Sequence, residues 1–287
     1  MVKLTLQDVQ TGETNTWCPG CGNFGILRAL QAALVDLGLP REQYLVVTGI
    51  GCHGKLTNYA SVNGFHGIHG RVLPVATGAK LANHDLIVLG FAGDGDQFDE
   101  GLEHLPHAAR RNIDVKLFTH DNKVYGLTTG QTSPTSEPGY KSKTSPTGSI
   151  PLPINPVRLA LACDASFVAR GWVGDVTHLK ELIKAAIRHP GFAFVDILQV
   201  CVTFNRVNTY EFYRDRVYKL EDDKHDPTDY RQAVVRSEEW SNRIPIGIFY
   251  RKERPVYHAA LPQLAKQPLV RQLLYPPGLD KLVNEFT

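Results

Sequence analysis

Cys18 and Cys21, two residues apart in "NTWCPGCGNFG", are the first side chains in the 287-residue sequence that could do metal or redox chemistry. Such a pair can be a redox dithiol, half of a zinc site, or part of an iron-sulfur cradle. Three more cysteines, Cys52, Cys163 and Cys201, are spread along the chain. An odd, dispersed set is unlike the dense even sets of small secreted domains and favours metal or redox chemistry. A disulfide oxidoreductase fits poorly. The order is Trp17, Cys18, Pro19, Gly20, Cys21 instead of WCGPC, no apolar strand precedes it, and Cys52 and Cys201 would be left without a role. Thiolates from Cys18, Cys21, Cys52 and Cys201 would satisfy either Zn²⁺ or a [4Fe-4S] cluster by count, although one pair plus two distant singles departs from the usual zinc pattern of two close pairs. Cys163, in "LALACDA", has apolar neighbours and is expected to be buried and structural.

A second constellation is oxygen-rich. Gly93, Asp94 and Gly95 form a "GDG" turn, and Asn122 opens "NKVYG" further along. Glycines let backbone N–H groups approach a diphosphate, while a carboxylate and an amide oxygen suit octahedral Mg²⁺ bridging it. Gly49, Gly54 and Lys55 fit GxxxxGK, but Leu56 stands where a P-loop requires a Ser or Thr hydroxyl, so a nucleotide-hydrolase loop is not expected.

The elements that must position these residues follow from periodicity. After Asn23, read as an N-cap, Leu27, Leu30, Leu34 and Leu37 recur at helical spacing until Gly38 and Pro40. "YLVVTGIGC", "DLIVLGFAGDGD", "IDVKLFTHDN" and "FAFVDILQVC" are apolar strands whose ends carry the candidate residues. Helices are expected in "GLEHLPHAARRN" and "DVTHLKELIKAAIRHPG", and a regular pattern of unassigned type in "PVRLALACDASFVAR", which makes βαβ units and a parallel sheet covered by helices. Ligands of such sheets bind at the carboxyl ends of the strands. Residues 126–156 are rich in Thr, Ser, Pro and Gly and form a long loop of the functional kind. Residues 1–205 are expected to form the domain, and the polar, aromatic segment 206–287 a C-terminal extension that contacts a partner.

Lys and Arg total 31 against 29 acids with no basic tract, which argues against a general nucleic-acid surface. The N-terminus lacks a secretory pattern and the apolar runs are too short for a membrane span, so a cytoplasmic protein is expected.

The GDG turn with its downstream Asn resembles the thiamine diphosphate fingerprint, which implies Mg²⁺ held by the side chains of Asp94 and Asn122 and the carbonyl of Val124. The ordered set "WCPGCGNFGILRAL", "GIGC", "HGIHGR", "GDGDQ", "DNKVYGLTTGQTSPTS", "INPVRLALACDASFVAR" and "FVDILQVC" resembles the beta subunits of 2-oxoacid:ferredoxin oxidoreductases, most closely the 2-oxoglutarate branch. The resemblance implies a doubly wound, mostly parallel α/β sheet of the thiamine diphosphate-binding type with an N-terminal cluster-binding segment. It implies one [4Fe-4S] cluster on Cys18, Cys21, Cys52 and Cys201. The cofactor would be lined by Ile50, Gly51, Cys52, His53, His69, Gly93, Gly95, Asp96, Tyr125, Gly126, Leu127 and Thr128, with His53 and His69 as positioning groups.

The activity implied is reversible, coenzyme A-dependent oxidative decarboxylation of a 2-oxoacid, with electrons passing through the cluster to ferredoxin. No glutamate that would activate the aminopyrimidine can be assigned here; the resemblance places it on an alpha subunit, so the chain alone is expected to be inactive. Lys55 is a candidate for the distal carboxylate of 2-oxoglutarate, and His66 is read as a satisfied core residue. The competing readings are a pyruvate or broad-specificity enzyme and a zinc-stabilised, non-enzymatic interaction subunit.

Overall fold

The computed structural model describes residues 4–272 and 278–286; the remainder of the expected domain and extension lies outside the described residues. An eight-stranded sheet runs in the order β2 (Asn63–His66), β1 (Tyr44–Thr48), β3 (Ile87–Gly93), β4 (Val115–Asp121), β8 (Ala193–Leu198), β7 (Phe167–Trp172), β10 (Ile244–Arg251) and β9 (Val217–Lys219). The first six are mutually parallel, and β10 runs antiparallel to β7. Strands β4, β7 and β8 are buried along their whole length, as continuous apolar runs covered on both faces should be.

Helices cover both faces. On one, α1 (Asn23–Leu37) packs with α7 (Val176–Arg188), burying Ile26, Leu30, Leu34, Leu179 and Ile183 against Phe91 and Phe118 of the sheet. On the other, α3 (Val72–Ala82), α5 (His104–Arg111), α6 (Pro156–Ala162) and α9 (Tyr230–Ser237) bury Leu73, Leu105, Leu161 and Ala233 with Phe194 and Phe249. The short helices α2 (Leu56–Tyr59), α4 (Asp94–Phe98) and α8 (Tyr210–Arg214) follow strand ends and loops, and β5 (Val124–Tyr125) pairs with β6 (Gln131–Thr132) in a separate small hairpin. Registry fixes the functional edge: Thr48 pairs with Phe91, Gly93 with His120, and Asp121 with Leu198. The ends of β1, β3, β4 and β8 therefore lie side by side.

The structure departs from the sequence pattern at several points. Gly22, not Asn23, caps α1; Asn23 is the first helical residue and its side chain is buried. His66 is exposed on β2 and is no core residue. Cys163 is only half-buried beside the second core. The expected extension supplies β9 and β10 to the sheet and buries Tyr213, Ile244, Ile246 and Phe249, so residues 206–251 belong to the fold and are not an arm. Beyond Arg251 the chain runs past Asn112, whose Nδ2 donates to the carbonyls of Arg254 and Pro255 at 3.1 Å.

His189, after α7, lies 2.8 Å from Ser166 Oγ, and burial together with the nearby Lys116 ammonium lowers its pKa from 6.5 to about 4. The unfolded chain binds this proton near 6.5 and the folded chain does not, so folding stability falls as pH drops from about 6.5 toward 4. Chemical denaturation at pH 7 and pH 5 is expected to show a loss of roughly 1–2 kcal/mol from this residue, discounted for its partial exposure, and His189→Gln should flatten that part of the dependence.

Candidate functional site

The end of β1 turns through Gly49, Ile50 and Gly51 into a short 3-10 turn at Cys52–Lys55. A side chain at Gly49 would strike the Asp96 carboxylate, so only glycine leaves room for the acid there. Asp96 is buried at the start of α4 and is the anchor of one cleft wall. Its Oδ2 lies 3.1 Å from His53 Nε2, and its Oδ1 lies 2.8 Å from His69 Nδ1 and accepts the Gly70 N–H at 2.7 Å. His53 is thereby hydrogen-bonded to the carboxylate, while His69 Nδ1 lies beside it at ion-pair distance without hydrogen-bond geometry.

Asp94 sits two residues earlier, in the same first turn of α4, and is buried. Its Oδ2 accepts from Ser133 Oγ at 2.6 Å and lies 2.7 Å from Thr135 Oγ1, which is also 2.7 Å from Asp121 Oδ1. Burial, then the charge of Asp121, holds the Asp94 pKa well above the usual carboxylate range. A cation would reverse that balance, because it favours the ionised acid. Asn122 Oδ1 accepts the Val124 N–H at 3.1 Å, and Asn205 Nδ2 donates to the Asn122 carbonyl at 3.0 Å, so the "DNKV" turn is fixed from both sides. Tyr125 donates to Asp99 Oδ2 at 2.7 Å, and its ring lies where a side chain at Gly95 would have to go.

These residues line one cleft. It is lined by Ile50, Gly51, Cys52, His53 and His69 from one side, by Gly93, Asp94, Gly95 and Asp96 from the β3 end, and by Asn122, Val124, Tyr125, Gly126, Leu127 and Thr128 from the β4 end. Asn23 and His120 also line it and were not foreseen. His120 Nδ1 lies 2.8 Å from Asn23 Oδ1, its Nε2 has no hydrogen-bond partner among the described residues, and burial lowers its pKa well below 6.5. No local pattern reveals this pair, because its members are far apart in sequence.

Cys18, Cys21, Cys52 and Cys201 line a neighbouring cavity, which shares Cys52, Asn122, Gly126 and Leu127 with the cleft. A Cβ at Gly126 would lie 3.7 Å from Cys201 Sγ and 3.8 Å from Cys52 Sγ. Trp17 Nε1 donates to the Cys52 carbonyl at 2.7 Å, and Gln199 Nε2 lies 3.5 Å from Cys21 Sγ. Cys18 is exposed and Cys201 buried, so the set spans the distance from solvent to interior. Burial pushes the Cys21 thiol up to about 12 and raises that of Cys52, so these sulfurs ionise readily only against a positive partner. Among the described residues, no group of three or more His, Cys, Asp or Glu is gathered closely enough to cage a single metal ion. Lys55 lines the cysteine cavity and not the cleft, with Nζ donating to Thr16 Oγ1 at 2.9 Å.

A doubly wound sheet whose glycine and acid turns close over such a cleft defines a thiamine diphosphate enzyme domain. Residues 49–197 match the family model for the thiamine pyrophosphate enzyme C-terminal TPP-binding domain, and 201–266 match that for the C-terminal part of the pyruvate ferredoxin oxidoreductase beta subunit. The chain is 46% identical over 295 residues to 2-oxoacid:ferredoxin oxidoreductase 1, subunit beta, of Aeropyrum pernix, covering 99% of this chain and 92% of that protein. It is 46% identical over 199 residues to the 2-oxoglutarate oxidoreductase subunit KorB of Mycobacterium tuberculosis, covering 69% and 53%. The solved structure of 2-oxoglutarate:ferredoxin oxidoreductase from Magnetococcus marinus, with 2-oxoglutarate, coenzyme A and succinyl-CoA bound, superposes with a TM-score of 0.91 at 35% identity, covering 100% of this chain and 97% of that one. The chain belongs to the beta subunits of the 2-oxoacid:ferredoxin oxidoreductases, and so to an oxidoreductase assembled with a partner subunit. No helix among the described residues is long and apolar enough to cross a membrane.

Proposed function

We propose that the chain is the thiamine diphosphate- and cluster-bearing half of a coenzyme A-dependent 2-oxoglutarate:ferredoxin oxidoreductase. The observation that carries this is the shared wall between the cleft and the four-cysteine cavity, formed by Cys52, Asn122, Gly126 and Leu127. A donor of electrons in the cleft and an acceptor in the cavity would be separated by little more than one layer of residues.

The residues fit both groups. Asp94, Asn122 and the Val124 carbonyl are oxygen donors of the kind Mg²⁺ takes, and Asp94 is a buried acid that lacks a formal counter-charge among its hydrogen-bond partners. The cysteines line one cavity but form no single-ion cage among the described residues, which favours a [4Fe-4S] cluster over zinc. Bound thiamine diphosphate supplies the electron sink for decarboxylation, and the cluster supplies one-electron transfer. This chain's own part is positional. Asp96 holds His53 and His69 along one wall, Gly93 and Gly95 leave their backbone open to the diphosphate, and the half-exposed Ile50 and Leu127 form an apolar rim that limits water.

The substrate follows from the relatives that act on 2-oxoglutarate; Lys55 lies outside the cleft, on the cysteine side of the shared wall, and would have to reach the distal carboxylate from there. The alpha subunit supplies the activating glutamate, and ferredoxin accepts the electrons. Assembled with its alpha subunit, the protein should reduce ferredoxin with 2-oxoglutarate and coenzyme A; alone it should not, and robust turnover by the isolated chain would sink this division of labour. Lys55→Ile should raise the KM for 2-oxoglutarate roughly 10- to 100-fold, the loss of one charge-assisted hydrogen bond, with pyruvate little affected. An equal effect on both substrates would refute the assignment of Lys55 to the distal carboxylate.

A further inference from the structure

Between the two proposed magnesium-binding positions, Asn122 and Val124, stands a residue that takes no part in the cleft. Asn122 and Val124 line the cleft, whereas Lys123 lines a separate cavity with Asp121, Arg170 and Trp240. Lys123 has a φ of 60°, the left-handed region that a side chain other than glycine's occupies only where its surroundings hold it. The restraint is visible on both its backbone and its side chain.

Ser136 Oγ donates to the Lys123 carbonyl at 2.6 Å, and Lys123 Nζ donates to the Thr135 carbonyl at 3.0 Å. The side chain is 5% exposed, so its ammonium has left water and must be compensated. Its carboxylate partners, Asp121 at 3.6 Å and Glu137 at 3.8 Å, are too distant for short ion pairs. The rest comes from the Trp240 indole, whose centroid lies 4.2 Å from Nζ. Trp240 is itself fixed, because its Nε1 donates to Glu137 Oε1 at 2.8 Å and its ring packs edge-on against buried Tyr213, with centroids 6.5 Å apart. The same ammonium thus grips the turn bearing Asn122 and Val124, and also the backbone of Thr135, whose hydroxyl reaches Asp94.

We propose that Lys123, clamped by Trp240 and Glu137, is a positioning residue for the magnesium site, keeping the Asn122 side chain and Val124 carbonyl aimed into the cleft. The inference rests on the magnesium assignment made above. It also gives a role in the site to Trp240, from the segment after residue 205.

The test uses the assembled alpha–beta complex, stripped of divalent cation and cofactor and titrated with Mn²⁺ at fixed thiamine diphosphate, with free Mn²⁺ read by EPR. Lys123→Met should raise the Mn²⁺ dissociation constant by about 10- to 100-fold, the usual cost of removing a group that orients metal ligands. Turnover should recover at saturating Mn²⁺, and the EPR signal of the reduced cluster should not change. Lys123→Gly relaxes the backbone but releases the clamp, so it should bind as weakly as Lys123→Met, while Lys123→Arg should recover part of the affinity. Trp240→Leu should weaken binding more than Trp240→Phe, which keeps an aromatic face; this pair decides the matter if the Lys123 variants do not fold. Mn²⁺ affinity within about twofold of the parent in Lys123→Met, or in Trp240→Leu, would overturn the clamp alone, since it is well below the loss expected for a ligand-orienting group. Affinity restored by Lys123→Gly would assign the effect to backbone strain and also overturn it. A parent complex that binds no Mn²⁺ would overturn the magnesium assignment and the clamp with it.

Discussion

Replacing Cys201 with serine should bleach the protein and lower ferredoxin reduction roughly 100-fold or more, equivalent to at least about 2.7 kcal/mol of barrier. Cys201 is the buried member of the four-cysteine set and sits beside Gly126 at the wall shared with the cleft. A serine oxygen is a harder and less readily ionised donor than a thiolate, and here it would also have to ionise in a desolvated site. Burial raises the thiols of Cys21 and Cys52, so these two sulfurs ionise at a cost that a complete set around a positive partner would offset. Iron content and the EPR signal of the reduced protein should fall together in Cys201→Ser and in Cys52→Ser. Cys163→Ser is the control: Cys163 packs beside the second core, away from the cavity, and its loss should leave both readings unchanged. Full iron content in Cys201→Ser would remove that residue from the ligand set.

The second large effect is expected at Asp94. Asp94→Asn keeps the shape and loses the charge, and it places an amide N–H₂ or an uncharged oxygen opposite the hydroxyls of Ser133 and Thr135. The cation proposed for this site would then lack its charged ligand, at a cost of about 3–5 kcal/mol, or some 10²- to 10⁴-fold in divalent-metal affinity. Thiamine diphosphate should be retained poorly through gel filtration, and excess Mg²⁺ should restore only part of the activity. Fold and cluster should survive, since Asp94 does not line the cysteine cavity. Cofactor retention equal to that of the parent would show that the GDG acid is not a metal ligand.

Much of the site was legible because its parts are local. "GDG", "DNKV" and "WCPGC" are short turns whose chemistry is written in adjacent residues, and each follows or precedes a strongly periodic element. Residues acting across the strand ends were not legible. Asn23 reads as a cap but reaches His120 on β4, and Ser133 and Thr135 are ordinary loop hydroxyls until the loop folds back on Asp94. Helix α3 was missed because Pro74 and Gly78 interrupt its pattern and Lys80 is buried in it, paired with Asp114 at 2.8 Å. Strand β10 was missed for a similar reason. Pro245 and Gly247, the latter with a φ of 126°, break the strand signal of "IPIGIFYR", yet it sits between β7 and the short β9, where the sheet tolerates a bulge. The segment taken for an extension is thus the far side of the sheet.

Metal analysis of the beta chain, purified anaerobically without its partner, decides whether one chain carries the cluster beside the cofactor cleft. Brown protein with roughly four iron and four sulfide per chain, lost in Cys201→Ser, is the expected result. Colourless protein with about one zinc per chain, or iron that appears only when the alpha subunit is present, would contradict it.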